Sequence, residues 1–389
     1  MVLVIGAALT AYGRRKDGSS FRDWACSAFD AALAMSGLER TDVDALVVAS
    51  ESDFFTLQLN PASVLAQDLG LFGKATLRVE GGGASGQLAV HAGAERILSG
   101  RARRVAVLGV DPSASALGGD CVRRLYGYSF DAWTDGMTGV TATALYALSW
   151  QAFAAEHGGS DADLAAVTIK NRRNARSNPG AHLPRAHSEE EIKASPMIAS
   201  PYRRLHCSPL SDGAAVLILS APEAAPANRR KSAARITGIG ASSAMPGLGH
   251  RTNPGRFIAK TRAMKQAVSM ADIAPSDIGL AEIYDAYAGA ELQGIAALGL
   301  ADDVVYAARG GDFAPAGRCP VNLSGGLMGQ GAPVGATGVG QAATCALLLE
   351  GRYHAALQPT RTPRHALADT HGGIATTCAV TVFSAGAAA

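Results

Sequence analysis

Residues Asn322 to Gln341 read Asn-Leu-Ser-Gly-Gly-Leu-Met-Gly-Gln-Gly-Ala-Pro-Val-Gly-Ala-Thr-Gly-Val-Gly-Gln and run into the apolar segment Ala342 to Leu349. So many glycines ahead of an apolar run describe a backbone that passes close to another element and then enters a buried helix. At such an entrance the backbone N–H groups have no intrahelical carbonyl and are available to an oxyanion or phosphate. The same stretch also reads as a tight turn packing two layers together, with no ligand involved.

The rest of the chain sets the frame. Its 389 residues, 48% hydrophobic and 17% charged with 45 glycines, fit a compact α/β protein of two or three domain-sized units. A formal charge of +2 gives no footprint for nucleic acid, although arginines cluster at 101–104 and 203–204. The six cysteines show neither CxxC nor metal-ligand spacing, which predicts free thiols, a reduced cytoplasmic setting and no metal. No apolar run is long enough to span a membrane. Val2 to Ala11 reads as a first strand and not as a leader, because its basic residues follow it.

In chain order, Val2 to Ala8 predicts a strand and Phe21 to Met35 a helix. Thr41 is an N-cap candidate ahead of the strand Ala45 to Ala49. The phrase Thr41-Asp42-Val43 to Val48 returns as Ser276-Asp277-Ile278 to Ile283, 235 residues later. The glycine turn Gly81 to Gly86 returns as Gly325 to Gly338. Two echoes in one order predict a duplicated α/β unit. Between the halves, residues 111–205 carry aromatics and a polar run from Asn171 to Pro201, expected to form either an inserted lid over a site or a surface subdomain. Residues 206–220 predict a further strand, and Ala221 to Lys231 a linker.

The opening stretch resembles the C-terminal signature of thiolases, Asn-x-x-Gly-Gly followed by Gly-His-Pro-x-Gly-x-(Ser/Thr)-Gly, here Gly331-Ala332-Pro333-Val334-Gly335-Ala336-Thr337-Gly338. Ala332 stands where the resemblance implies a histidine. Glu80-Gly81-Gly82-Gly83-Ala84-Ser85-Gly86 resembles the turn that carries the thiolase nucleophile, with Gly83 in the place of cysteine. Glu282-Ile283-Tyr284-Asp285 through Glu291-Leu292 resembles the His-Asp-x-Phe…Glu-Leu segment of sterol-carrier-protein-type thiolases, with Tyr284 replacing histidine. Asp369-Thr370-His371-Gly372-Gly373 lies where thiolases keep Cys-x-Gly, placing His371 on the thiol's position.

The resemblance therefore implies a duplicated five-layer αβαβα fold: an N-terminal half at 1–110 and 206–225, the insertion at 111–205 and a C-terminal half at 232–389. Without the thiol no acyl-enzyme forms. The pattern is most similar to the thiolase-like aldolases of steroid side-chain degradation, and it implies retro-aldol cleavage of a bulky 3-hydroxyacyl-CoA to a ketone or aldehyde and a shorter acyl-CoA. The expected catalytic residues are Tyr284, Asp285 and His371, an imidazole of ordinary pKa about 6.5. Gly83 and Gly373 are expected to offer backbone N–H groups, and Gly331, Ala332 and Gly335 to bind substrate. No cofactor is expected beyond the CoA of the substrate. The expected partners are a second copy of the chain and an OB-fold, zinc-ribbon subunit. The alternatives are an acyltransferase using Cys378 or Cys207, and a non-catalytic acyl-CoA-binding or scaffold subunit.

Overall fold

The computed structural model describes residues 1–386, apart from the side chain of Arg123. Nine strands make one sheet: β1 (Val2–Leu9), β2 (Ala45–Ala49), β3 (Ala75–Val79), β4 (Arg104–Pro112), β5 (Asp212–Ser220), β6 (Ala234–Ser243), β7 (Leu280–Glu282), β8 (His365–Gly372) and β9 (Thr377–Ser384). Their spatial order, β3-β2-β4-β5-β1-β6-β9-β8-β7, is a palindrome about the β1–β6 seam. The pairings match as well: β2 runs parallel to β4 and β7 to β8, while β4–β5, β8–β9, β5–β1 and β9–β6 are antiparallel. Even the outer strand β3, parallel to β2, has a remnant counterpart in a parallel bridge between Val321 and Ala281 beside β7. One unit has been used twice, and the repeated Ser/Thr-Asp phrase leads into β2 in one copy and β7 in the other.

The layers follow from which residues each strand buries. Helices α1 (Phe21–Ser36), α2 (Ser85–Leu98), α3 (Ala142–His157), α4 (Asp161–Arg176), α5 (Ile258–Ala271), α6 (Ala288–Ala297) and α7 (Val334–Leu349) cover the sheet. Along β4, Val105 and Val107 pack with Ala89 and Val90 of α2 and Val339 of α7, whereas Ala106 and Leu108 face Trp24 and Phe29 of α1. In the other half, Ala366 and Ala368 join the α2/α7 core, while Leu367 and Val380 pack with Ala263 and Met264 of α5. Strands buried on both faces read as near-continuous apolar runs, and each fully buried Val or Leu contributes about 1.5–3 kcal/mol. The result is five layers, with α2 and α7 in the middle.

Helix α7 is buried along fifteen of its sixteen residues, as a central helix must be. Its glycines are contact points. A Cβ on Gly338 would lie 2.6 Å from Gln87 N, and one on Gly86 2.6 Å from Gly338 Cα, so the two central helices cross backbone to backbone. The Gln87 Nε2–H···O Gly338 bond of 2.8 Å ties that crossing.

Several sequence expectations change. The strand expected at 206–220 begins at Asp212, because residues 207–211 instead make single bridges to Tyr287 and Ala332. Thr41 lies inside a 3-10 turn, Arg40–Asp42, whose N-cap is Glu39. The expected linker is packed: Arg229 is buried, donates to Ile5 O at 2.9 Å and pairs with Glu350 at 2.8 Å. The insertion is largely helical, and the polar run from Asn171 starts within α4.

Candidate functional site

A cavity of about 400 Å³ opens where the carboxyl ends of β2, β7 and β8 meet the entrance of α2. Ligand sites in open α/β sheets form at such strand ends. Gly83, Tyr284, Ala332, His371 and Gly373 all line it, and the insertion supplies Tyr126, Phe130 and Tyr146 as a wall. The sequence-predicted residues from four separate segments are thus brought together, while Asp285, Gly331 and Gly335 are not among the lining residues.

Gly83 and Tyr284 fit each other closely. A Cβ on Gly83 would lie 2.5 Å from the Tyr284 hydroxyl and 2.3 Å from His371 O. The phenol therefore fills the space that any side chain at position 83 would enter. Gly83 sits in the 3-10 turn that opens α2, where N–H groups lack an intrahelical acceptor. Tyr284 is held from behind: its N–H donates to Asp369 Oδ1 at 3.2 Å, and Asp369 is ion-paired with Lys260, both fully buried. Burial, with the charges of Glu51 and Asp285, pushes the phenol above its ordinary range. Tyr284 therefore keeps its phenol proton in this pocket, and its pKa is raised, not lowered.

His371 is also different from its expectation. It belongs to the end of β8 and not to a loop. Nε2 lies 2.7 Å from the Tyr146 hydroxyl, which donates to Gly373 O at 2.8 Å. With the single Tyr146 proton given to Gly373, the imidazole donates from Nε2 and Nδ1 keeps its lone pair. Nδ1 is buried without a hydrogen-bond partner among the described residues. Burial first, then the charges of Lys260 and Arg251, hold the imidazole well below its ordinary pKa. It is a neutral ring packed 4.7 Å from that of Tyr284. Gly373, at φ +58°, has its carbonyl committed to Tyr146 and its N–H remaining.

The carboxylate of Asp285 points the other way. It accepts from Leu327 N at 2.6 Å, Met328 N at 3.4 Å and Asn171 Nδ2 at 2.8 Å, so it holds the glycine loop in place. The entrance of α7 is not a free anion site, because the protein's own groups fill it. Asp111 Oδ2 accepts from Gly335 N at 2.6 Å, and Ser211 Oγ accepts from Ala332 N at 3.0 Å. Gly331 and Gly335 are needed for close approach: a Cβ would meet Ser211 Oγ at 2.5 Å in the first case and Asp111 Oδ2 at 2.4 Å in the second. Ala332 does reach the cavity, but with a methyl group.

Sequence reasoning missed Glu51. It lines the same cavity, accepts from the Tyr126 hydroxyl at 2.8 Å and is pushed up to about 8 by burial and by the charges of Asp111 and Glu80. An acidic residue just past a buried parallel strand was the available signal. Among the described residues no cysteine lines the cavity, and burial pushes both Cys207 and Cys378 up to about 12. Arg104 and Arg203, from the two basic clusters, donate to the backbone carbonyls of Ala224 and Ser195.

Comparison with known proteins agrees with this geometry. Residues 240–385 match the family described as thiolase C-terminal domain-like. Acetyl-CoA acetyltransferase of Methanothermobacter thermautotrophicus is 32% identical over 392 residues, covering 98% of this chain and 99% of that protein. Sterol carrier protein 2 of Oryctolagus cuniculus is 25% identical over 369 residues, covering 90% of this chain and 66% of that protein. Among solved structures, the Ltp2-ChsH2(DUF35) aldolase superposes with a TM-score of 0.84 at 25% identity, covering 99% of this chain and 97% of that one. The relatives include an acetyl-CoA acetyltransferase and an aldolase. The chain belongs to the thiolase superfamily of acyl-CoA enzymes, among the members related to sterol carrier protein 2.

Proposed function

We propose that this protein is a thiolase-like aldolase. It cleaves the C2–C3 bond of a 3-hydroxyacyl-CoA with a bulky, steroid-type acyl group and releases a ketone or aldehyde and a shortened acyl-CoA. The observation that carries this reading is the packing of the Tyr284 hydroxyl into the space beside Gly83. No thiol is found among the described residues that line the cavity, and a phenol stands in the room where the thiolase nucleophile would be.

The chemistry balances without a cofactor. Loss of the 3-hydroxyl proton lets the O–H electrons form the C3 carbonyl. The C2–C3 pair moves into the thioester, and the enolate oxygen is held by the N–H groups of Gly83 and Gly373. A proton returned to C2 completes the shortened thioester, and Tyr284, kept protonated by its surroundings, is suited to give it. His371, neutral and bonded to Tyr146, orients this wall of the pocket. The CoA thioester is the substrate, and no further cofactor takes part.

The partners belong to the same reading. Strand β3 leaves an open edge with Leu77 exposed, and Phe54, Leu57, Leu59 and Phe72 lie exposed in the neighbouring sequence, a surface suited to a second copy of the chain. The Ltp2-ChsH2(DUF35) aldolase is a complex with a DUF35 partner, which supports an OB-fold, zinc-ribbon subunit here. No helix among the described residues is long and apolar enough to cross a membrane, and we assign the complex to the cytoplasm.

The acyltransferase reading draws on the 32% identity to an acetyl-CoA acetyltransferase. A panel of 3-hydroxyacyl- and 3-ketoacyl-CoA esters, assayed with and without the partner subunit, separates the two. The aldolase releases a carbonyl product from the hydroxy esters without free CoA. Thiolysis of the keto esters, or a covalent acyl adduct on the protein, would overturn the proposal.

A further inference from the structure

We propose that Glu51 is the catalytic base that takes the substrate's 3-hydroxyl proton, with Tyr126 and Asp111 as the residues that position it. The inference deepens the aldolase reading and rests on it.

The aldol cleavage needs one group to accept a proton and another to return it, and the side chains expected to accept are poorly placed for that. Tyr284 is held in its protonated form, and His371, whose Nε2–H is committed to Tyr146, is a weak base at Nδ1 because burial and the charges of Lys260 and Arg251 hold its pKa well below the ordinary value. Glu51 is the carboxylate that shares the cavity with Gly83 and Tyr284. Its root is fixed by a neighbouring strand: Asp111 at the end of β4 accepts from Glu51 N at 2.9 Å, from Ser50 Oγ at 3.0 Å and from Gly335 N at 2.6 Å. Its head is fixed by the insertion, where the Tyr126 hydroxyl donates to Oε2 at 2.8 Å. Oε1 has no hydrogen-bond partner among the described residues and is the oxygen available to a ligand. Glu51, Tyr126 and Tyr284 line one cavity, and the charge of Glu51 is felt by both phenols.

In the step, Oε1 takes the hydroxyl proton and the O–H electron pair left on oxygen closes to the C3 carbonyl. The C2–C3 bond breaks, the enolate forms against the Gly83 amide, and Tyr284 protonates C2. Return of the proton from Glu51 to Tyr284 restores both groups, so nothing is consumed beyond the substrate. The titratable and charged groups around Glu51 are Asp111 on β4, Glu80 after β3, Tyr126 in the insertion, Tyr284 after β7 and His371 on β8, with the Arg78–Asp53 pair beside its loop. The two carboxylates raise its basicity and the Tyr126 bond lowers it.

The test measures kcat and KM for 3-hydroxyacyl-CoA cleavage across the neutral-to-alkaline range, using the full chain with its partner subunit. For the wild type, kcat/KM should rise with pH toward a plateau above about 8, the value to which Glu51 is pushed. Glu51→Gln should lose about 10²–10⁴-fold in kcat with little change in KM, and its rising limb should vanish. Formate should restore part of the activity of Glu51→Ala, which a merely structural role does not allow. Tyr126→Phe should keep the limb but move it to higher pH, and this decides the matter if the Glu51 variants do not fold. Cleavage by Glu51→Gln within threefold of wild type, or an unmoved limb in Tyr126→Phe, overturns the role of Glu51 and leaves the aldolase reading standing. A wild type that cleaves no hydroxy ester brings down that reading and this one together.

Discussion

Placing a single methyl group on Gly83 is the sharpest probe of this site. In Gly83→Ala the new Cβ would lie 2.3 Å from His371 O, a backbone atom at the end of β8, and 2.5 and 2.9 Å from the Tyr284 hydroxyl and Cζ. Neither neighbour yields easily: His371 is registered against Cys378 of β9, and Tyr284 is anchored through Asp369. Overpacking of this kind costs about 1–3 kcal/mol. At about 2.1 cal/mol/K per residue over the chain's 389 residues, the unfolding entropy is about 0.8 kcal/mol/K, so the melting temperature should fall by about 1–4 °C. Activity should fall further, by about 10²–10³-fold, because the shift displaces the proton donor and the Gly83 amide together. Tyr284→Phe removes the hydroxyl clash and leaves that with Cζ. The double variant should therefore lose less stability than the sum of the two single ones, with a coupling of about 0.5 kcal/mol or more. Differential scanning fluorimetry and the carbonyl-release assay read both effects. Wild-type melting and turnover in Gly83→Ala would refute the idea that phenol and glycine compete for one volume.

Three other outcomes are expected. Lys260→Met leaves Asp369 as an unpaired buried carboxylate and should cost about 3–5 kcal/mol; adding Asp369→Leu should recover most of it, as read by denaturant midpoints. Glu51, Asp111 and Glu282 are pushed by burial to about 8, 7 and 7 in the folded chain. Folding thus favours their protonated forms, and the stability this gives is full below the ordinary carboxylate range and lost as pH rises through 7–8. Melting temperature should fall between about pH 4 and 8, less steeply in Glu51→Gln; a flat profile counts against the shifts. Of the six cysteines only Cys121 is exposed, so iodoacetamide should add one fast adduct there by mass spectrometry and leave carbonyl release intact. Inactivation that tracks modification of Cys207 or Cys378 would favour the acyltransferase alternative.

The fold was legible where local chemistry and tertiary need coincide. The glycines of 335–340 announce close approach, and each of Gly335, Gly338 and Gly340 indeed has a neighbour within 2.3–2.6 Å of a would-be Cβ. The echo of Thr41–Val48 in Ser276–Ile283 marked a repeat because both copies feed a strand buried on two faces. The end of α4 falls in the polar run expected as a lid or surface subdomain, because Asn171, Arg172 and Asn174 look like a solvated face. They are buried instead, where Asn171 serves Asp285 and Glu291 and Asn174 serves Asn322 O. The site was half legible. Gly83, Tyr284 and His371 lie in motifs, whereas the significance of Glu51 depends on Tyr126, 75 residues away, and on a strand neighbour. The freedom of the α7 entrance was misjudged for the same reason: the carboxylate that fills it comes from Asp111, 224 positions earlier.

The seam at the centre of the palindrome is slight, with Val2–Val4 of β1 facing Ala234–Ile236 of β6 in three registered pairs. Glu51 and Gly83 come from one side of it, and Tyr284, His371 and Gly373 from the other. Turnover is thus a gauge of how faithfully the two copies dock. Loosening at the seam should silence the enzyme while each copy keeps its own secondary structure, so heat inactivation should precede loss of helical signal.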